Sequence, residues 1–131
     1  MKLTKMTFVT LSLFLFSFIL TSCGIGNPVG TWRQDVAVDG HATLRYCIYT
    51  FNEDNTFDYL DHKEYDYVDR PLVEDTGGGT WTQSGFHVET TLTWKHWGDT
   101  DNTDFFDDPN TAYWTINGDE MTSGSVVIYR V

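Results

Sequence analysis

The sequence predicts an all-β fold in which about eight short antiparallel strands follow one another as an up-and-down meander. Apolar and polar residues alternate along several short segments, as they do in strands with one buried face. Turn signals such as Asp39-Gly40, Ser84-Gly85 and Asn117-Gly118 separate these segments, and no helical repeat of apolar residues follows residue 28. Closing the meander into a barrel removes exposed strand edges, and an open sandwich is the structural alternative.

Three strands are predicted in the first half of this region, over 31–38, 42–51 and 56–60. The first alternates Trp32 with polar neighbours, and the second is rich in Tyr, Ile and Thr. The polar loop over 52–55 then returns the chain into the third strand. Residues 61–75 are acidic and contain Pro71, so we expect an irregular or edge segment there.

The second half begins with glycines at 77–79, which are expected to break the chain before a short strand over 80–82. The following segment, 86–95, has the clearest two-residue alternation of the sequence. A long polar loop is expected over 98–110. The last three predicted strands, which Gly-containing turns separate, cover 111–116, 120–122 and 126–131.

The N-terminus is typical of a secretion signal that ends at a lipidation site. Lys2 and Lys5 precede an apolar run over 8–20, which is shorter than the roughly 20 residues that span a bilayer. The sequence over 20–23, Leu-Thr-Ser-Cys, resembles the lipobox of bacterial lipoproteins, in which the Cys becomes the acylated first residue. An ordinary secretory signal with an incidental Cys is the alternative.

The lipobox resemblance implies where the protein resides and how the chain is divided. We expect membrane attachment through lipidated Cys23. Gly24 stands where an Asp often marks retention in the inner membrane, so the resemblance favours the outer membrane. The predicted parts are a signal peptide over 1–22, a lipidated Cys and tether over 23–28, and one β-barrel domain over 29–131.

Short motifs in the domain resemble those of lipocalin-like barrels. Gly30-Thr31-Trp32 matches the Gly-x-Trp signature of that family, and a second copy follows at Gly79-Thr80-Trp81. The hairpin over 51–57 and the closing Tyr129-Arg130 are similar to those of small bacterial lipocalin-like lipoproteins. The resemblance implies that Trp32 plugs one barrel end and that Arg130 packs over it. We therefore predict a buried Trp32 in cation–π contact with Arg130.

An eight-stranded barrel either fills itself with side chains or holds one small ligand. We predict that this barrel binds a small apolar ligand or serves as a binding module. The aromatic side chains can line a pocket or fill it, and the modest chain length favours filling. The residues that the alternation assigns to the interior are Tyr46, Ile48, Phe86, Val88, Leu92, Trp94, Trp114 and Ile116.

The strongly acidic composition limits the partners. Removing the signal removes Lys2 and Lys5, which leaves six basic against nineteen acidic residues and a net charge of −13. Nucleic acid is excluded as a partner, because its binding needs a basic surface. An alternative function is an acidic interaction or inhibitor module for a basic envelope protein, with a filled core. Its contacts would be the exposed acids of 61–75 and 99–108.

No residue set indicates a reaction or a cofactor, so a non-enzymatic protein is expected. Cys47 lies in an apolar run and is expected to be a small buried hydrophobe. The histidines lack zinc-ligand spacing. The acidic run over 99–108 offers oxygen ligands for Ca²⁺, but Asp104 stands where the loop needs Gly and Asn110 where it needs Glu. A solvated loop without metal is therefore expected there.

Overall fold

Eight antiparallel strands form from the alternating segments, which confirms the predicted all-β meander. The structure is a computed structural model that describes residues 26–131, so the predicted signal peptide and Cys23 lie outside the described residues. The strands are β1 (Gly30–Asp35), β2 (Ala42–Phe51), β3 (Thr56–Tyr65), β4 (Leu72–Ser84), β5 (His87–Trp97), β6 (Asn102–Asn117), β7 (Glu120–Ser123) and β8 (Val126–Arg130).

Each strand pairs with the next along the chain, and β8 pairs with β1 to close a barrel. The closing ladder sets Trp32 opposite Arg130 and Arg33 opposite Tyr129. The closed barrel, rather than an open sandwich, is therefore the architecture. Because the strands alternate in direction, the start of β1 and the β2–β3, β4–β5 and β6–β7 turns share one end, here called the N-terminal end.

The hydrophobic core lies at the N-terminal end of the barrel. Its members come from the start of β1, β3 and β5, from the end of β2, β4 and β6, and from the short β7–β8 hairpin. The opposite half of the barrel is consequently left to other side chains. Within residues 26–131, the buried cluster consists of Trp32, Phe51, Phe57, Trp81, Val88, Trp114, Ile116, Met121 and Ile128.

The irregular segment expected over 61–75 is confirmed only for residues 66–71, and the glycine break expected over 77–79 is wrong. Strand β3 continues to Tyr65, and β4 passes through all three glycines. A β-bulge lies at Gly78 and Gly79, where β4 crosses close to β5. A Cβ on Gly79 would lie 1.8 Å from the Thr91 carbonyl oxygen, so only glycine allows this approach. The glycines therefore continue the strand.

The long polar loop expected over 98–110 is also wrong. Strand β5 continues to Trp97 and β6 begins at Asn102, which leaves only a short turn between them. Leu92 on β5 pairs with Asn110 on β6, but the next pair along the ladder is Trp94 with Phe105, so the register between the two strands shifts there. This irregularity interrupts the alternation of inward and outward side chains along β5 and β6. The polar residues therefore look like a loop in the sequence although they belong to strands.

The β7–β8 hairpin is too short to cover the full length of β6. Strand β7 has 4 residues and β6 has 16, of which only Thr115, Ile116 and Asn117 pair with β7. In the described chain, the rest of β6 has no ladder partner on that side. A gap in the wall follows, above the hairpin and away from the N-terminal end. Exposed Asp107 and Asp108 lie on this free edge, where charge discourages further strand pairing.

Candidate ligand-binding site

A cavity of about 240 Å³ lies inside the barrel where the apolar core ends. It is partly open to solvent, and its volume lies just below the range of about 300–1,000 Å³ that is usual for small-molecule sites. One small molecule is therefore the most that it accommodates. The lining residues are Tyr49, Phe57, Tyr59, Thr90, Leu92, Lys95, Asn110, Ala112 and Trp114.

Three cavity residues, Tyr49, Tyr59 and Lys95, belong to one row across the sheet. Tyr49 lies opposite Tyr59, Tyr59 opposite Gly77, and Gly77 opposite Lys95. The ring centroids of the two tyrosines are 5.2 Å apart, and the Tyr49 ring meets Trp114 edge-on at 5.4 Å. Gly77 lies between Tyr59 and Lys95 in this row, and a Cβ there would be 3.1 Å from Leu92 Cδ1, so Leu92 fills the place of the missing side chain. The wall is thus aromatic on one side and cationic on the other.

Beyond this row, away from the N-terminal end, charged side chains cross the barrel interior. Arg45 donates two hydrogen bonds to Asp61, from Nε at 3.0 Å and from Nη2 at 2.8 Å. Lys63 Nζ lies 2.7 Å from an Asp75 carboxylate oxygen and 3.5 Å from Asp61. The backbone N–H of Gly98 donates to the other Asp75 oxygen at 2.9 Å. The two buried carboxylates are thereby paired with two cations.

This ionic layer shifts the pKa values of its members in opposite directions. Burial raises the pKa of Asp75, but the hydrogen bonds from Lys63 and Gly98 and the charges of Lys63 and Lys95 outweigh it and lower the pKa. Burial lowers the pKa of Lys63, but the bond to Asp75 and the charges of both aspartates outweigh it and raise the pKa. Each group therefore stays charged over a wider pH range than in water.

The cavity tyrosines and Cys47 are held in their neutral forms. Burial is the main cause that raises the pKa of Tyr49, Tyr59 and Cys47. The Cys47 thiol lies 3.6 Å from the Tyr59 hydroxyl and is 3% exposed. A buried thiol with a raised pKa is a poor nucleophile. The chemistry of this site is thus suited to binding by neutral aromatic groups.

The N-terminal end of the barrel is closed by Trp32 and Arg130. Trp32 is fully buried, and its indole N–H donates to the Pro28 carbonyl at 2.7 Å. The Arg130 guanidinium carbon lies 4.3 Å from the Trp32 ring centroid. Arg130 also donates to the Val29 carbonyl at 2.8 Å and forms an ion pair with Asp119 at 2.9 Å. The contact expected from the resemblance is therefore present in the structure.

Four of the residues assigned to the interior by the sequence do lie there. Leu92 and Trp114 line the cavity. Val88 and Ile116 are each 1% exposed and belong to the core beneath it. The structure therefore brings together four of the eight predicted interior residues.

The interior assignment of Tyr46, Ile48, Phe86 and Trp94 is wrong. Tyr46 stacks on His62 outside the barrel at 4.6 Å, and Ile48 lies on the same outer face beside Trp94. Phe86 is 52% exposed in the β4–β5 turn.

Two local features explain these misplacements. On β2 both phases of the alternation are apolar, so the pattern does not distinguish the inner face from the outer one. On β5 the irregularity between Leu92 and Trp94 reverses the phase, turning Trp94 outward and Lys95 inward.

The cavity residues that were not predicted from the sequence include Tyr49, Tyr59, Lys95 and Ala112. A usable signal existed for the tyrosines, because the predicted hairpin is flanked by two phenylalanines at 51 and 57. Counting in steps of two from these residues gives Tyr49 and Tyr59. No comparable signal marks Lys95, since its orientation depends on the bulge.

The acidic run over 99–108 is part turn and part strand. Its aspartates are exposed. Among residues 26–131, no three or more His, Cys, Asp or Glu side chains are arranged to hold a metal ion. No helix in the same range is long and apolar enough to cross a membrane.

No family model, no curated protein and no solved structure matches this chain.

Proposed function

We propose that the protein is a lipid-anchored envelope protein, of a lipocalin-like type, whose barrel binds one small and largely apolar ligand. The single observation that carries this proposal is the cavity of about 240 Å³ inside the barrel. Its wall of Tyr49, Tyr59, Leu92 and Trp114 offers apolar surface, and burial of apolar surface drives such binding at roughly 25 cal/mol per Å².

A small residue helps to keep this cavity open. Ala112 is the smallest of its lining residues. A larger residue at position 112 would fill the space with protein atoms, as happens deeper in the barrel around Trp32 and Phe51. Residue size at this level therefore favours a binding site over a filled interior, the opposite of what chain length alone suggests.

The proposed lipid anchor would attach at the end away from the cavity. The backbone carbonyls of Gly26 and Pro28 accept hydrogen bonds from Gln83 and Trp32, both at 2.7 Å, which holds the predicted tether against the N-terminal end. Cys23 is three residues before Gly26. An acyl chain on Cys23 would set the N-terminal end toward the membrane and leave the cavity facing away from it.

The anchor has a direct test. A Cys23→Ser change should release the protein from the membrane fraction into the soluble fraction. Retention of the variant in membranes after alkaline and high-salt washing would place the attachment elsewhere in the chain.

Filling the cavity tests the binding proposal. Ala112→Leu places a larger side chain in the cavity, and Thr111→Leu places the same side chain on the opposite face of β6. Isothermal titration with 1-octanol should give at least tenfold weaker binding for Ala112→Leu and unchanged binding for Thr111→Leu. Circular dichroism would establish that both variants fold. Equal affinities in all three proteins would contradict binding in the cavity.

A second candidate function is an acidic module that binds a basic envelope protein. Buried Asp61 and Asp75 no longer support it, because they are 2% and 1% exposed. Five exposed aspartates within 99–108 still do, at positions 99, 101, 104, 107 and 108. A pull-down from envelope extract should then recover basic partners at low salt and lose them at high salt, since salt screens exposed charges. Partners that bind equally at both salt concentrations would argue against it.

A further inference from the structure

We infer that the cavity ligand is an amphipathic monoanion, such as a medium-chain carboxylate, whose negative group pairs with Lys95. This inference rests on the proposed function and names the chemical class that the cavity selects. It depends on how the few cations of the chain are distributed between the interior and the surface of the barrel.

Cations are concentrated inside the barrel. Of the six basic residues after the predicted signal, Arg45, Lys63 and Lys95 point inward, although the protein as a whole is strongly acidic. Asp61 and Asp75 neutralise the first two, at 2.8 and 2.7 Å. Each of these two cations therefore already has a carboxylate partner.

Lys95 forms no ion pair with any described residue. Its Nζ lies 3.8 Å from the Trp97 ring centroid and 5.8 Å from that of Tyr59, so aromatic faces surround it. Asp104 is directly opposite on β6, but its carboxylate accepts hydrogen bonds from the side chains of Trp97 and Asn102. Lys95 therefore lines the cavity without a carboxylate within ion-pair distance of its Nζ.

A bound neutral ligand would exclude water from the Lys95 ammonium group without replacing the hydrogen bonds that the water made. An anionic group would instead accept a charge-assisted hydrogen bond there, which is shorter and stronger than a neutral one. Only one such group can be matched, because Arg45 and Lys63 are already paired. A second negative charge would face the buried aspartates of the ionic layer. The cavity therefore selects a single negative charge on an apolar body.

The test compares three ligands with one tail and three charges: octanoate, 1-octanol and octylamine. Isothermal titration at pH 7.5 should show octanoate binding at least tenfold more tightly than 1-octanol, with octylamine weakest. Lys95→Met should abolish the preference while keeping 1-octanol binding, which also reports that the variant folds. Lys95→Arg should retain the preference.

Arg33→Met is the matched control. It removes one positive charge from the outer face, where Arg33 stacks on Tyr46 at 4.0 Å, and should leave all affinities unchanged. Equal binding of octanoate and 1-octanol to the unmodified protein would overturn the inference while leaving the proposed function standing. A preference that persists in Lys95→Met would also overturn it. Failure of all three ligands to bind would overturn both proposals.

Discussion

The Arg130 guanidinium lies over the indole ring of Trp32, 4.3 Å from its centroid, although the two residues are 98 positions apart in the chain. They are also ladder partners across the β1–β8 seam. The contact joins the first strand to the last, at the seam that closes the barrel. Its energy therefore acts on barrel closure itself.

Arg130→Lys should lower the free energy of unfolding by about 1–2 kcal/mol. Lysine keeps the charge but cannot stack its planar group on Trp32 while donating to the Val29 carbonyl. Urea unfolding followed by tryptophan fluorescence measures the change. Arg70→Lys, at an exposed position, is the control and should change stability by less than about 0.5 kcal/mol. Equal effects of the two changes would show that the seam contact contributes nothing specific.

The ionic layer predicts an asymmetry between the two partners of one pair. Arg45→Met leaves the Asp61 carboxylate buried at 2% exposure and should destabilise the protein by about 3 kcal/mol. Asp61→Asn leaves Arg45, whose side chain is 40% exposed, free to reach water, so its effect should be smaller. The double variant should recover part of the loss. An Asp61→Asn effect larger than that of Arg45→Met would contradict this assignment of burial.

The parts of the fold that the sequence predicted are those with an uninterrupted local pattern. Turn dipeptides and the Gly-x-Trp motif were sufficient for the strand order and for the contact between Trp32 and Arg130. The interior of the barrel away from the N-terminal end was not predictable in this way. Asp61 and Asp75 look like surface residues by type, and only their pairing with Arg45 and Lys63 across strands makes burial possible.

The cavity was predicted only in part, for a geometric reason. A bulge reverses which side chains face inward, and its position depends on the contact between two strands rather than on either strand alone. Leu92 was placed correctly because it precedes the irregularity, and Trp94 was misplaced because it follows it. Ala112 lies two residues before Trp114 on the same face of β6, and it was not predicted because a small residue does not stand out in the alternation.

Gly79→Ala should destabilise the barrel by about 3 kcal/mol or more, because the added Cβ would lie 1.8 Å from the backbone oxygen of Thr91. Gly78→Ala should be milder, since the nearest atom, at 2.8 Å, belongs to the movable Trp94 side chain. Thermal melting of the two variants is compared with that of Gly40→Ala, whose added Cβ meets no atom within 4 Å and which carries only the backbone strain of its φ of +60°. A Gly79→Ala protein as stable as Gly40→Ala would contradict the close crossing of β4 and β5.

The folded protein should lose stability as pH rises above about 10. Folding raises the pKa values of Tyr49, Tyr59 and Lys63, so the folded protein holds these protons more tightly than the unfolded chain does. Their contribution is complete below the unfolded values near 10 and is lost above them. Near-ultraviolet circular dichroism against pH measures the transition. Tyr49→Phe should move it to higher pH, and exposed Tyr113→Phe should not; the reverse order would contradict the burial of Tyr49.

The central claim is that a small ligand binds inside the barrel, and intermolecular nuclear Overhauser effects test it most directly. With ¹³C-labelled protein and unlabelled 1-octanol, the tail protons should give cross-peaks to the Leu92 methyl groups, the Ala112 methyl group and the Trp114 ring. These residues line the cavity, whereas Ile48 and Trp94 lie on the outer face. Cross-peaks to Ile48 and Trp94 alone, or none at saturating ligand, would contradict the claim.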